Sequence, residues 1–218
     1  MSGAVLLDLD GTLSDSRPGI EGCMRAAMAE RGYPLDAEMD LGWAIGPPTE
    51  DVFGRLLATF GGTDIAGAVA VYRTHYAAGG WSDNTPYPGI AEALAGLVAA
   101  GYPLYLATSK RVDFARMILD HFDFTRHFTA VYGAELDGSR SHKPEMIAHI
   151  VATHRLDARR CVMIGDRAFD IAGAHANGMR GLGALWGYGS PAEFDQAGAE
   201  GTIAAPSGIV AAVRAMLG

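Results

Sequence analysis

The stretch Ala4-Val5-Leu6-Leu7-Asp8-Leu9-Asp10-Gly11-Thr12-Leu13 decides how this chain is read. Its first half is a short apolar run with no polar break. That is the pattern of a strand buried on both faces of a parallel sheet. The run ends in two carboxylates. Asp8 and Asp10 are two apart on an extended strand, so their side chains point the same way. Two anions that close repel each other unless a cation or proton intervenes. A hard cation with oxygen ligands answers that need, and magnesium takes a few carboxylates together with substrate phosphate. Gly11 lets the backbone turn sharply after them. Alone, Asp-x-Asp-Gly is an ordinary turn. It is a poor calcium loop, because position five would be Thr12 and the glutamate at position twelve is missing. The rest of the chain has to decide.

Downstream, apolar residues recur at helical spacing in 20–29, 49–60 and 65–76. Gly32-Tyr33-Pro34, Gly46-Pro47-Pro48 and Gly61-Gly62 break the pattern, and no strand is expected there. After Thr85-Pro86-Tyr87-Pro88-Gly89 the rhythm alternates. Helices are expected at 90–100, 112–120, 143–154 and 171–176, and strands at 104–107, 128–132, 161–164 and 181–186. A strand at 202–204 and a helix at 207–217 follow. Strand–helix alternation implies an α/β fold with a parallel sheet covered on both faces, a Rossmann-like three-layer core. The expected division is a core of residues 1–13 and 86–218, with 14–85 inserted as an all-helical cap. The connections near residues 14–17 and 81–88 would form a limited hinge.

In such sheets ligands bind at the carboxyl ends of the strands. Asp8, Asp10, Gly11 and Thr12 follow the first strand, and Thr108 and Ser109 follow the next. Lys143 opens the helix after the third, and Gly165, Asp166 and Asp170 follow the fourth. Each alone is unremarked chemistry: a helix cap, a surface lysine, a turn. Four strand ends supplying carboxylates, hydroxyls and a lysine to one edge are not. Asp166 would complete the cation site begun by Asp8 and Asp10. Of the 17 basic residues only Lys110 and Lys143 are lysine. A compact ammonium fits beside a carboxylate and a phosphate where a planar guanidinium does not. Lys143 takes that part, and Lys110 is expected on a solvated face.

Composition narrows the partners. The 218 residues are 49% hydrophobic and 19% charged, enough for a sizeable core. A net charge of -8 offers no basic field for a nucleic acid. Cys23 and Cys161 have no metal-ligand spacing, which suggests a reducing compartment. The chain runs straight into its first apolar run with no basic leader, and no stretch reaches membrane-spanning length. A cytoplasmic monomer or homodimer that binds a small phosphorylated metabolite, not a membrane, is expected.

The segment Leu7-Asp8-Leu9-Asp10-Gly11-Thr12-Leu13 resembles the first motif of the haloacid dehalogenase superfamily. Thr108, Lys143 and Gly165-Asp166 with Asp170 are similar to its second, third and fourth motifs, and the helical insert resembles the cap of its phosphoglycolate phosphatase and β-phosphoglucomutase-like branch. Ile45-Gly46-Pro47-Pro48, Leu136-Asp137-Gly138-Ser139-Arg140 and Gly187-Tyr188-Gly189-Ser190 resemble bacterial phosphatases labelled phosphoglycolate phosphatase or 5′-nucleotidase.

The resemblance implies a chemistry. Asp8 would attack phosphorus and form an aspartyl-phosphate. Asp10 would protonate the leaving oxygen and then activate water. Mg²⁺ would be held by Asp8, Asp166 and the main-chain carbonyl of Asp10, supported from outside by Asp170 and Thr12. Thr108, with the amides of Leu9, Asp10 and Ser109, would hold phosphate oxygens, and Lys143 would neutralise Asp8 and the phosphate. Specificity would sit in the cap, at Arg17, Trp43, Ile45, Pro47, Pro48 and Arg73, with Asp15, Ser16 and Tyr76 nearby.

Other chemistries on this scaffold are weaker. A dehalogenase has no use for the acid at Asp10. A phosphonatase like the known members needs a cap lysine, and residues 14–85 contain none. A sugar phosphomutase of the β-phosphoglucomutase type shares the core. A non-catalytic phosphate-binding module would be expected to lose Asp8 or Asp10, and both are present.

Overall fold

The computed structural model describes residues 3–218, so residues 1–2 of the expected segment 1–13 lie outside the described residues. The strands in chain order are β1 (Ala4–Leu7), β2 (Ser14–Asp15), β3 (Thr85–Pro86), β4 (Leu104–Arg111), β5 (Ala130–Ala134), β6 (Cys161–Gly165), β7 (Arg180–Ala184) and β8 (Gly201–Ile203). The helices are α1 (Arg17–Glu30), α2 (Thr49–Ala58), α3 (Ile65–Ala78), α4 (Ile90–Ala99), α5 (Val112–His121), α6 (Lys143–His154), α7 (Ala168–Ala176), α8 (Pro191–Ala197) and α9 (Ile209–Leu217). Six strands form one parallel sheet in the order β5-β4-β1-β6-β7-β8.

The apolar run at the N-terminus explains its own place. Successive side chains of a strand point to opposite faces. Val5 and Leu7 pack with Ile90, Leu97, Ile118 and Ile209, which covers one face with α4, α5 and α9. Ala4 and Leu6 pack with Met146, Ile150 and Ala174, which covers the other with α6 and α7. A central strand has no solvated face, hence no polar alternation. The chain leaves β1 for β4 on one side and later returns to β6 on the other. That reversal of strand order opens a crevice at the carboxyl ends of β1, β4 and β6.

Helices α1–α3 enclose an apolar cluster of their own, with Met24, Met28, Phe53, Leu57, Val69 and Tyr76 in it and Phe114 of α5 reaching in. The segments entering and leaving this helical unit pair as the antiparallel ribbon β2–β3, Ser14 opposite Pro86 and Asp15 opposite Thr85. No strand was expected at residue 14, because two residues carry no periodicity.

Other differences have local causes. Helix α7 starts at Ala168 rather than 171, because the Asp170 carboxylate accepts the Arg167 N–H and caps the first turn. Strand β7 stops at Ala184, and Trp186 turns away to donate from its ring N–H to the Thr12 carbonyl (2.9 Å). Strand β5 begins at Ala130, later than 128. Helix α8 was not expected; it has seven residues, started by Ser190 accepting the Glu193 N–H. Strand β4 runs on to Arg111, and its register with β5 shifts between Ala107 and Arg111, just where Thr108, Ser109 and Lys110 lie. Among the described residues no helix is long and apolar enough to cross a membrane.

Candidate active site

Asp8 follows β1, Asp166 follows β6, and Asp170 lies in the first turn of α7. The three carboxylates are buried, with one oxygen from each within 4.8 Å of the others. Lys143, buried at the start of α6, reaches them. Its ammonium lies 2.9 Å from Asp8 Oδ1, touches Asp170 Oδ1, and donates to the Ala107 carbonyl (2.8 Å). Asp8 Oδ1 also accepts the Leu9 N–H at 2.8 Å. The Leu9 amide, expected on phosphate, is therefore engaged by the neighbouring carboxylate in this structure. Asp166 is held by the Thr12 hydroxyl (3.3 Å) and by the Tyr188 N–H (2.9 Å).

Gly11 could carry no side chain here. Its φ is +78°, and a Cβ would stand 2.1 Å from Asp166 Oδ2. Its backbone must be both left-handed and pressed against the carboxylate.

Electrostatics inside this cluster are unbalanced. Burial pushes the Asp8 pKa up from 3.8 to about 7; Lys143 opposes the rise, and Asp170 and Asp10 add to it. Burial also raises Asp166 well above the carboxylate range, helped by Asp170 and Asp8. Lys143 goes the other way from a typical buried lysine: burial lowers it, but Asp170 and Asp8 outweigh burial and hold it above its ordinary value. One ammonium does not offset three buried carboxylates. A donor set of carboxylate oxygens with surplus negative charge fits a hard divalent cation, and Asp8 and Asp166, with Asp170 beside them, could hold one.

Above the carboxylates lies a cleft of about 60 Å³ lined by Asp8, Asp10, Thr108 and Ser109 from the sheet and by Ile45, Pro47, Arg73 and Tyr76 from the helical unit. Asp10 Oδ2 pairs with Lys110 Nζ at 3.0 Å, while Asp10 Oδ1 is buried without a partner. Lys110 also donates to the Tyr76 hydroxyl (2.7 Å) and is almost fully buried. The solvated-face expectation for Lys110 is thus corrected. The register shift in β4 and the roof supplied by α3 bury it, and a buried ammonium needs the carboxylate it found. Thr108 is buried and accepts the Lys110 N–H through its hydroxyl (3.3 Å).

Not every expected cap residue reaches the cleft. Arg17 turns to Glu21 and Asp40 instead. Trp43 lies under the Arg55 guanidinium at 3.9 Å. Each is corrected as a cleft residue, because a nearby charged partner within the helical unit claims it. Asp15 and Ser16 belong to the connection, where the Tyr188 hydroxyl accepts the Ser16 and Arg17 N–H groups (3.0 and 3.1 Å) and donates to Asp15 Oδ1 (2.9 Å). Pro48 lines a neighbouring groove.

Besides Lys110, Arg167 escaped sequence reasoning, and Tyr188 entered it only within the motif Gly187-Tyr188-Gly189-Ser190, with no partner foreseen. Tyr188 joins Asp166 to the start of α1. Arg167 pairs with Glu193 (3.0 Å) and donates to the Ile45 carbonyl, tying the strand end at Asp166 to the loop over the cleft. Their signals were faint: a tyrosine between glycines, and an arginine next to a site aspartate.

Comparisons with known proteins agree with this geometry. A profile described as haloacid dehalogenase-like hydrolase matches residues 5–184. A 5′-nucleotidase of Pseudomonas aeruginosa is 43% identical over 192 residues, covering 87% of this chain and 86% of that protein. The tyrosine-protein kinase PtkA of Mycobacterium tuberculosis is 42% identical over 186 residues, 85% of this chain; the match spans 62% of that relative's length, less than two thirds. The crystal structure of a predicted phosphatase from Clostridium acetobutylicum superposes with a TM-score of 0.92 at 30% identity, covering 99% of both chains.

Proposed function

The chain belongs to the haloacid dehalogenase-like hydrolases, and on that premise we propose that it is a magnesium-dependent phosphatase that hydrolyses a small phosphomonoester through an aspartyl-phosphate on Asp8. The observation that carries this reading is the buried Asp8–Asp166–Asp170 cluster closed by Lys143, beside an Asp10 with one unpartnered oxygen at the cleft.

Roles follow from position. The Leu9 N–H and Lys143 orient the Asp8 carboxylate for attack on phosphorus. The bond from phosphorus to the leaving oxygen breaks, and Asp10 gives that oxygen a proton. A water then attacks the acyl-phosphate, Asp10 takes its proton, and inorganic phosphate leaves. Thr108 and Ser109 hold phosphate oxygens, Lys143 offsets charge on Asp8 and the phosphate, and Asp170 keeps Lys143 in place. Asp8, Asp166 and the main-chain carbonyl of Asp10 would hold magnesium, whose charge neutralises the carboxylates and the phosphoryl oxygens. Residues 14–85 act as the cap that closes over the substrate and reopens for product release.

The similarity to a protein named a tyrosine kinase favours a second reading, in which the acyl-phosphate passes to an acceptor other than water. A sugar phosphomutase would do the same with a sugar hydroxyl. Product analysis separates them. With Mg²⁺ and p-nitrophenyl phosphate the protein should release inorganic phosphate, and excess chelator or Asp8→Asn should abolish the release. Release that survives both refutes the mechanism, and a phosphorylated acceptor in place of free phosphate favours transfer.

A further inference from the structure

The helical unit does not rest on the sheet by apolar packing alone. Among the described residues, two core side chains donate hydrogen bonds into its body, residues 18–80. Lys110, near the carboxyl end of β4, donates to the Tyr76 hydroxyl of α3 at 2.7 Å. Arg167, in the loop leaving β6, donates to the Ile45 carbonyl and lies 3.5 Å from the Gly42 carbonyl. In the sheet β4 and β6 flank β1, and Asp8 follows β1. The unit is therefore tied down on both sides of the strand that carries the nucleophile. Lys110 has a second partner in Asp10. The Arg167 guanidinium bonds to none of the four site aspartates, so its place calls for another reason.

That guanidinium is aimed from the core. Its Nε donates to Glu193 Oε1 at 3.0 Å, and the same oxygen accepts the Ala168 N–H at 2.7 Å. The Arg167 N–H is held by Asp170 Oδ2 (3.1 Å), and the Glu193 N–H by Ser190 Oγ (3.2 Å). A side chain pinned at its main chain and at Nε has little freedom left to lose, so its outer donor arrives pre-oriented. A hydrogen bond from a cation is also stronger than one between neutral groups. The acceptors opposite are main-chain carbonyls. The contact therefore fixes where the loop backbone lies, whatever side chains the loop displays. Gly46 shows how close the approach is. Its φ is +108°, and a Cβ there would stand 3.0 Å from Arg167 Cγ. A larger residue would strain the backbone and press the loop off the arginine. The backbone held in this way is that of Ala44, Ile45, Gly46 and Pro47, which line the cleft together with Asp8 and Asp10.

We propose, resting on the phosphatase reading above, that Arg167 is a positioning residue for substrate: aimed by Glu193, it holds the Ala44–Pro47 backbone in place over the cleft and so sets the room for the part of the ester beyond the phosphoryl group. In that reading the phosphoryl group meets Asp8, Thr108, Ser109 and Lys143, all from the core. The rest of the ester has the helical unit as its other wall. Loss of the Arg167 contact should therefore weaken binding of a whole ester and leave binding of free phosphate alone. A contact made equally in the ground and transition states acts on KM rather than on kcat.

Arg167→Met keeps most of the stem and removes the donors. With Mg²⁺ and p-nitrophenyl phosphate, KM should rise about tenfold with a smaller change in kcat, the scale of one hydrogen bond to a charged group. The inhibition constant of inorganic phosphate and the Mg²⁺ concentration for half-activity should stay as they are. Hydrogen exchange at the Ala44 and Ile45 amides, which donate to the Leu41 and Gly42 carbonyls, should quicken as the loop loosens. Glu193→Gln removes the charge that aims the guanidinium. It should move the same readouts in the same direction by less, and it carries the test alone if Arg167→Met does not fold. An unchanged KM, or unchanged exchange at both amides, overturns the inference. So does a phosphate inhibition constant or a Mg²⁺ requirement that rises together with KM, because Arg167 would then act through its neighbour Asp166. If the unaltered protein hydrolyses no phosphomonoester, the phosphatase reading fails and the substrate role with it, while the exchange measurement still decides whether Arg167 holds the loop.

Discussion

Lys110 and Lys143 are the two lysines of the chain, and both end on carboxylates of the cleft. Only Lys143 was expected there. Its place at the first turn of a helix after a strand is visible in the sequence. Lys110 sits one residue past Ser109, where strand alternation gives no hint of which side it takes once the register shifts. The pair has a consequence. Lys110 fixes Asp10 Oδ2 and leaves Oδ1 buried without a partner. Lys110→Met keeps most of the stem volume and removes the partner, so in the proposed mechanism Asp10 loses its orientation toward the leaving oxygen. We expect kcat on glycerol 3-phosphate to fall about tenfold, short of the roughly 10²–10⁴-fold that general acid–base catalysis supplies, because Asp10 itself remains. The fall on p-nitrophenyl phosphate should be smaller, because its leaving oxygen departs without a proton. Equal losses on both substrates would separate Lys110 from Asp10's role.

At the scale of elements, the start of α1 rests on a residue far away in sequence. Its N-cap, Ser16, makes no side-chain capping bond. The Tyr188 hydroxyl accepts the N–H groups of Ser16 and Arg17 instead, while the Tyr188 N–H binds Asp166. One residue therefore couples the β2–β3 connection to the carboxylate cluster. Tyr188→Phe keeps the ring and the main chain but leaves the Ser16 amide without its partner, while the Arg17 amide keeps Asp15 Oδ1 at 3.2 Å. The expected cost is about 1–3 kcal/mol of stability, read as a lower denaturant midpoint, with faster hydrogen exchange at Ser16. Unchanged exchange at that amide would show that the hydroxyl does not hold the helix start. Helix α7 teaches the same lesson. Apolar spacing began it at 171, and the Asp170 cap adds a turn that spacing alone does not record.

For the whole molecule, the excess of buried carboxylate is a stability statement. The Asp8 pKa stands at about 7 in the fold against 3.8 ordinarily, and Asp166 is raised as well. Between those values the folded state binds more protons than the unfolded one. The contribution of Asp8 is therefore present below about pH 4 and is lost as pH rises through about 7. In excess chelator, the melting temperature should fall across that window relative to the same protein with saturating Mg²⁺, where a divalent charge offsets the carboxylates. The difference between the two melting curves is the measurement, since exposed ion pairs contribute equally to both. Parallel curves from pH 4 to 8 would mean that the cluster holds no cation.

The chain's own order of residues determined the sheet, the strand ends that carry chemistry, and the aspartates and lysine grouped there. These are local facts: an apolar run too short for a helix, carboxylates two apart, a glycine after them. The parallel order then follows, because each strand is separated from the next by a helix. Tertiary structure alone decided which polar side chains meet. Lys110 found Asp10 because α3 roofs it and the β4 register slips. Arg17 and Trp43 were drawn off by Glu21, Asp40 and Arg55. Tyr188 reached Asp166 across a long stretch of sequence. A long side chain can reach several positions. Which one it takes depends on which carboxylate, amide or ring packing brings within about 3–4 Å, and periodicity along the chain carries no record of that distance.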